Sequence, residues 1–315
     1  MNIQSISIVV PTKRCINNCS FCVSKMHDNP YENKFDEIQY RKRFKYADRN
    51  QVNTLIITGT GEALQNTRFL KKLKGVLDKE GHPFPNVEIQ TTGIMLMDYT
   101  TTKNAPPFNY DTHDFKNIKL LKSLGVNTIS LSVSDIFSSV KNSHIIGIPD
   151  KLYFDLDELC KFIKDQGFNL RLSLNMTNVY DGVYPEDILM RCKELGADQI
   201  TFRELYGGGH ETPESIWVDE NACKPVVMNR LTEYIAGISD GVGEEYAAEN
   251  PYRTGEGTPL YRLPFGAMVF SIDGMSVAID DNCMSKNNND DLKYVILREN
   301  GKLYCQWDDE GSLLF

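Results

Sequence analysis

The chain has 315 residues, with 41% hydrophobic and 24% charged residues, which is the composition of a globular protein with enough length for one barrel-sized core. A net charge of −9 argues against a duplex or long RNA partner, because phosphate backbones need a basic face. No apolar run approaches the ~18 residues of a membrane span, and "MNIQSISIVVPTKRC" lacks the pattern of a signal peptide, so a cytoplasmic protein is expected.

Strand-like and helix-like patterns then alternate along the chain. "SISIVVP" (5–11) is the first β-rich run, and "FDEIQYRKRFKYADR" (35–49) predicts a helix. "NTLIITG" (53–59) is a second strand. It is followed by the amphipathic "TRFLKKLKGVLDKEG" (67–81), with Phe69, Leu70, Leu73, Val76 and Leu77 at helical spacing. "NVEIQTTG" (86–93), "VNTISLSVSD" (126–135), "NLRLSLNMTN" (169–178) and "DQITFREL" (198–205) predict four more strands. Between them, 112–125, 155–167 and 185–196 predict helices, several ending in a glycine. This rhythm predicts an α/β fold, a partial (β/α)6 TIM-like barrel over residues 1–206. A C-terminal α+β extension over 207–315 is expected to close the barrel bottom or roof its mouth.

After residue 206 the rhythm stops. "YGGGHETPES" (206–215) is turn-rich, 220–238 contains a helix, and 241–259 is a long polar loop that could cover a site. "AMVFSIDGMSVAID" (267–280) predicts a hairpin turning at Asp273-Gly274, and "YVILRENGKLYCQW" (294–307) another turning at Asn300-Gly301.

In parallel α/β barrels, chemistry gathers at the C-terminal ends of the strands. There the sequence "RCINNCSFC" (14–22) places Cys15, Cys19 and Cys22 in a CxxxCxxC loop. Three thiolates can hold three irons of a 4Fe-4S cube and leave the fourth iron open. Zinc is the alternative; a structural zinc site normally takes four protein ligands, and here only the distant Cys283 or Cys305 could complete one. Cys160 and Cys192 fall on the inner faces of helical patterns and read as core thiols.

This loop after a first strand, with Phe21 just before the last cysteine, resembles the radical S-adenosylmethionine (SAM) superfamily over roughly residues 3–206. The resemblance implies a 4Fe-4S cluster on Cys15, Cys19 and Cys22 whose open iron chelates SAM. It further implies reductive cleavage of SAM to a 5′-deoxyadenosyl radical that takes hydrogen from a substrate. "TGTGEAL" (58–64) resembles the family's GGE motif, with Thr60 replacing the first glycine, and implies Gly61 and Glu62 at the methionyl ammonium. By the same resemblance Phe21 and Tyr206 are expected beside adenine, Ser132 and Asn175 at the ribose and carboxylate, and Arg203 toward substrate or the SAM carboxylate.

The likeness is nearest to the branch holding the molybdenum-cofactor GTP cyclase, viperin-like enzymes and peptide-modifying members. It departs from the GTP cyclase, which carries arginines where Ile8 and Ile56 stand here and a second cysteine cluster where Cys223, Cys283 and Cys305 are dispersed. The substrate expected is a small molecule such as a nucleoside or sugar, or alternatively a peptide or protein. An electron donor such as flavodoxin or ferredoxin is the expected partner. A non-enzymatic zinc module is the reading from another class.

Overall fold

The computed structural model describes residues 3–27, 34–96, 115–209, 211–237, 256–262, 267–280, 292–306 and 312–314. The predicted strands appear as β1 (Ile3–Val10), β2 (Thr54–Gly59), β3 (Asn86–Thr91), β4 (Thr128–Val133), β5 (Asn169–Asn175) and β6 (Gln199–Arg203). They pair in chain order, each parallel to the next. The crossovers carry α1 (Val23–Met26), α2 (Glu37–Arg49), α3 (Thr67–Lys79), α4 (Lys116–Ser123), α5 (Ser139–Ile146), α6 (Leu156–Asp165) and α7 (Pro185–Glu194).

Local chemistry sets these boundaries. Asp36, Asn66, Ser138 and Asp155 each cap a helix by accepting a backbone N–H from its first turn. α3 buries the five apolar residues its periodicity selects. α5 was not expected from the sequence. Its eight residues, "SVKNSHII", have a weak apolar stripe and are held mainly by the Ser138 cap and the left-handed Gly147 behind them.

The residues after 206 form α8 (Pro213–Asn221), α9 (Pro225–Ala236) and strands β7 (Thr258–Arg262), β8 (Met268–Ile272), β9 (Met275–Asp280), β10 (Leu292–Leu297) and β11 (Leu303–Tyr304). α8 begins inside the stretch read as turns, where Thr212 caps it and Pro213 opens it. Both hairpins occur. β8 and β9 meet at Asp273-Gly274, both with positive φ (52° and 84°), and β10 and β11 meet around Gly301. Most of the 241–259 loop lies outside the described residues.

The hairpins extend the sheet at its two edges. β9 runs parallel to β6, and β10 runs parallel to β1. Among the described residues the result is one 11-stranded sheet in the order β11-β10-β1-β2-β3-β4-β5-β6-β9-β8-β7, curved as a partial TIM-like barrel and not closed. Among the described residues no helix is long and apolar enough to cross a membrane.

The two faces of the central strands differ in chemistry. Ile6, Ile8, Leu55, Ile57, Ile89, Ile129, Leu131, Leu170, Leu172, Leu174, Ile200 and Phe202 are buried in the apolar core. Each such side chain contributes on the order of 2 kcal/mol by leaving water. The alternate positions, including Ser5, Ser7, Thr54, Glu88, Gln90, Arg171, Gln199 and Thr201, line the inside.

Candidate active site at the barrel mouth

A cavity of about 790 Å³ occupies the inside of the curved sheet. Cys19, Phe21, Cys22, Asn175, Arg203 and Tyr206 line it at the C-terminal strand ends, and Gln4, Asn53, Asn86 and Asn127 at the other. Midway, the Arg171 guanidinium pairs with Glu88 and donates from Nε to Gln199 Oε1 at 2.7 Å. Arg171 thus points into the lumen, and its partners lie on β3 and β6.

The cysteine loop leaves β1 and is tied down from several sides. Gln65 Oε1 accepts from Ile16 N at 2.8 Å, and Asn66 Nδ2 donates to Pro11 O at 2.7 Å. The backbone of Asn18 and Ser20 donates to Gly147 O and Ile145 O, both at 3.1 Å. Gly147 has φ 65°, and a Cβ there would lie 2.4 Å from Asn18 O, so only glycine permits this approach. Gly61 is required on the other side, where a Cβ would lie 2.9 Å from Cys15 Cβ. The backbone N–H of Glu62 donates to Cys15 Sγ at 3.2 Å.

The remaining expected residues fall into two groups. Phe21, Asn175, Arg203 and Tyr206 face the cavity together with Cys19 and Cys22. The Phe21 ring lies 6.1 Å from that of Trp217, and the Tyr206 ring 6.4 Å from that of His27. Asn175 Nδ2 donates to Ser132 Oγ at 3.0 Å and to Ser134 Oγ at 3.3 Å, which ties the ends of β4 and β5 together. Cys15, Gly61 and Glu62 sit behind this rim. Glu62 is buried, and its carboxylate accepts from Thr91 Oγ1 at 2.8 Å and from Thr92 N and Oγ1 at 3.1 Å each. Burial pushes the Glu62 carboxyl up, while these hydrogen bonds favour its charged form.

The donor set suits a polynuclear cluster. Burial pushes all three thiols up; the nearby Cys22 raises Cys15 further, and Cys22 and Cys15 both raise Cys19. Such a group ionises together only beside a strong local cation, as bound iron provides. Among the described residues no three His, Cys, Asp or Glu side chains form a group that could hold one metal ion. A cube presents a separate iron to each thiolate, so its ligands need only surround it. Cys223, at the end of α8, donates its N–H to Met176 O, and Cys305 closes β11 at the far edge of the sheet. Cys283 lies outside the described residues, as do His113 and His210, while His144 is exposed.

Sequence reasoning passed over Glu88, Gln90 and Gln199 in the lumen and Asn17 and Gln65 around the cysteine loop. The first group carries a readable signal, the polar residue at every second position of "SIS", "EIQ", "RLSLN" and "QITFR". The second group sits in irregular backbone and leaves no periodic trace.

Fold and site together define an α/β partial barrel with the Cys19 and Cys22 thiols at the mouth of the lumen and Cys15 behind that rim. Residues 9–188 match the radical SAM superfamily. The chain belongs to that superfamily. Comparison with curated proteins gives no match. Among solved structures, the chain is similar to Streptococcus suis SuiB bound to precursor peptide SuiA, at 14% identity and a TM-score of 0.55. That similarity covers 96% of this chain and 58% of SuiB. It is also similar to anSMEcpe with bound AdoMet, at 14% identity and TM-score 0.55, covering 98% of this chain and 76% of the other. The same enzyme with AdoMet and Kp18Cys peptide matches at 12% identity and TM-score 0.54, with the same coverage. At these identities the likeness is one of fold.

Proposed function

We propose that the chain is a radical SAM enzyme in which Cys15, Cys19 and Cys22 hold three irons of a 4Fe-4S cluster and SAM occupies the cavity beside it. The observation that carries this reading is the position of the thiols. They stand at the C-terminal ends of parallel strands, on a loop fixed against the Gly61-Glu62 turn, above a lumen large enough for SAM and a small substrate. When bound, the cluster and SAM supply a 5′-deoxyadenosyl radical that takes a hydrogen atom from the substrate.

The protein's part is binding, orientation and exclusion of water. Phe21 and Tyr206 offer ring and backbone contacts to adenine. Asn175, fixed by Ser132 and Ser134, presents its amide to ribose or carboxylate. Arg203 offers a cation to a carboxylate. The Gly61 backbone offers close approach to the methionyl group. The substrate favoured is small and polar, because the lumen below is lined by Ser, Thr, Asn, Gln, Glu and Arg side chains. An acidic one-electron donor, a flavodoxin or ferredoxin, fits the exposed Lys13 and Arg14 beside the cysteine loop. The cytoplasm is the compartment that suits such a donor.

A second reading, a peptide substrate, is supported by β7. All five of its residues are exposed and it is the last strand of the sheet among the described residues, so its outer edge could accept an added strand. An anaerobic assay for 5′-deoxyadenosine against candidate metabolites and peptides, with deuterated substrates to trace the transferred hydrogen, tests both. Absence of 5′-deoxyadenosine from the cluster-loaded, reduced protein with SAM and every candidate would count against the enzyme reading.

A further inference from the structure

We infer that the Glu62 carboxylate is a positioning group, a buried brace that acts through Thr92 and Asn17 to hold the cysteine loop in its ligand-presenting shape. The inference rests on the cluster reading above and assigns the carboxylate a task other than gripping the SAM ammonium.

Hydrogen-bond direction carries the argument. A threonine hydroxyl has one proton, and an ionised carboxylate can only accept. Thr92 Oγ1 gives its proton to Glu62 Oε2 at 3.1 Å and therefore must accept from Asn17 Nδ2, which lies 2.7 Å away. Thr91 Oγ1 gives its proton to Glu62 Oε1 at 2.8 Å and accepts from Gly93 N at 3.0 Å. The backbone N–H of Thr92 adds a second donor to Oε2 at 3.1 Å, and that of Leu64 a second to Oε1 at 3.4 Å. Every arrow points at the carboxylate.

These bonds occupy its accepting capacity, about two lone-pair sites on each oxygen. Glu62 is only 4% exposed, which leaves no open side for an ammonium. Meanwhile the brace reaches the loop at two points. Asn17, 5% exposed, lies between Cys15 and Cys19 and is held through Thr92, while the Glu62 N–H holds Cys15 Sγ directly. The carboxylate thus ties the exits of β2 and β3 to the loop that leaves β1. Such outer-shell bonds fix ligand orientation, and their loss typically weakens metal binding by roughly 10–100-fold.

The test uses the full chain with Glu62→Gln, Thr92→Val, Thr92→Ser and Asn17→Ala. Glu62→Gln keeps the shape but turns an amide donor toward the Thr92 donors. After anaerobic reconstitution, Glu62→Gln, Thr92→Val and Asn17→Ala should each lose iron to a chelator at least about 10-fold faster than wild type, with Thr92→Ser restoring retention. The cluster-loaded fraction of each variant should bind SAM with nearly wild-type affinity. Amide hydrogen exchange at residues 15–20 of the cluster-free protein should speed up in the same three variants, with the rest of the sheet unchanged.

Iron retention equal to wild type in all three variants would overturn the proposal. So would a loss of SAM affinity in Glu62→Gln alone, because that would mark the carboxylate as a ligand of the ammonium. If wild type takes up no cluster, the cluster reading fails by itself. The brace is then judged on hydrogen exchange, where equal rates at residues 15–20 overturn it.

Discussion

Arg171 on β5 reaches past β4 to pair with Glu88 on β3 inside the barrel, and the two partners are unequally exposed, with 30% of the Arg171 side chain accessible against 5% of Glu88. Removing the guanidinium therefore strands a buried carboxylate, whereas removing the carboxylate leaves a cation that still faces the cavity. Arg171→Met should cost about 3 kcal/mol of stability, Glu88→Gln clearly less, and the double variant less than the sum. Urea titration of the four proteins measures this directly. Equal losses from the two single variants would mean that the pair is not the lumen's buried ionic link.

The tight contact at Gly147 gives a second prediction. Gly147→Ala places a methyl 2.4 Å from Asn18 O in a left-handed backbone. Gly167 is also left-handed, at φ 82°, but a Cβ there meets nothing within 4 Å. Gly167→Ala should cost only the left-handed penalty of about 1–2 kcal/mol and keep the cysteine loop intact. Gly147→Ala should cost more and also lower the iron bound after reconstitution. Equal iron content in the two variants would show that the Gly147–Asn18 approach does not shape the loop.

The core thiols make a pH prediction. Cys192 is fully buried, and burial pushes its thiol up to about 12. An unfolded thiol ionises near about 8.5. The folded-state value is the higher one, so the thiol's contribution is complete below about 8.5 and falls away as pH rises toward the folded value. Wild type should therefore lose about 2 kcal/mol more stability between roughly pH 8.5 and 10 than Cys192→Ala does. Parallel denaturation series at the two pH values check this. Identical slopes would place the Cys192 ionisation elsewhere.

Much of the barrel was legible because it is repetitive. The outward face of every central strand is apolar and the helices between them carry apolar stripes, so local pattern and tertiary packing agree. The cysteine loop stood out because three thiols within eight residues, spaced CxxxCxxC, form a pattern that no helix or strand requires. The sheet's outer strands were only half legible. Asp273-Gly274 announces a hairpin, but nothing near it says that β9 docks parallel on β6, since that pairing joins residues far apart in sequence. α5 was missed because a cap and a close glycine contact hold it more than its apolar pattern does. Glu62 was read from its motif as facing a ligand, and its hydrogen bonds to Thr91 and Thr92 become visible only once β2 and β3 lie side by side.

The most direct measurement is metal and sulfide analysis of anaerobically reconstituted protein, read together with electron paramagnetic resonance with and without SAM. The account predicts about four irons and four sulfides per chain, a reduced-cluster signal that changes shape when SAM is added, and loss of both chromophore and SAM cleavage in Cys15→Ala, Cys19→Ala or Cys22→Ala. A single tightly held zinc without labile sulfide, or full SAM cleavage in any of the three cysteine variants, would contradict it.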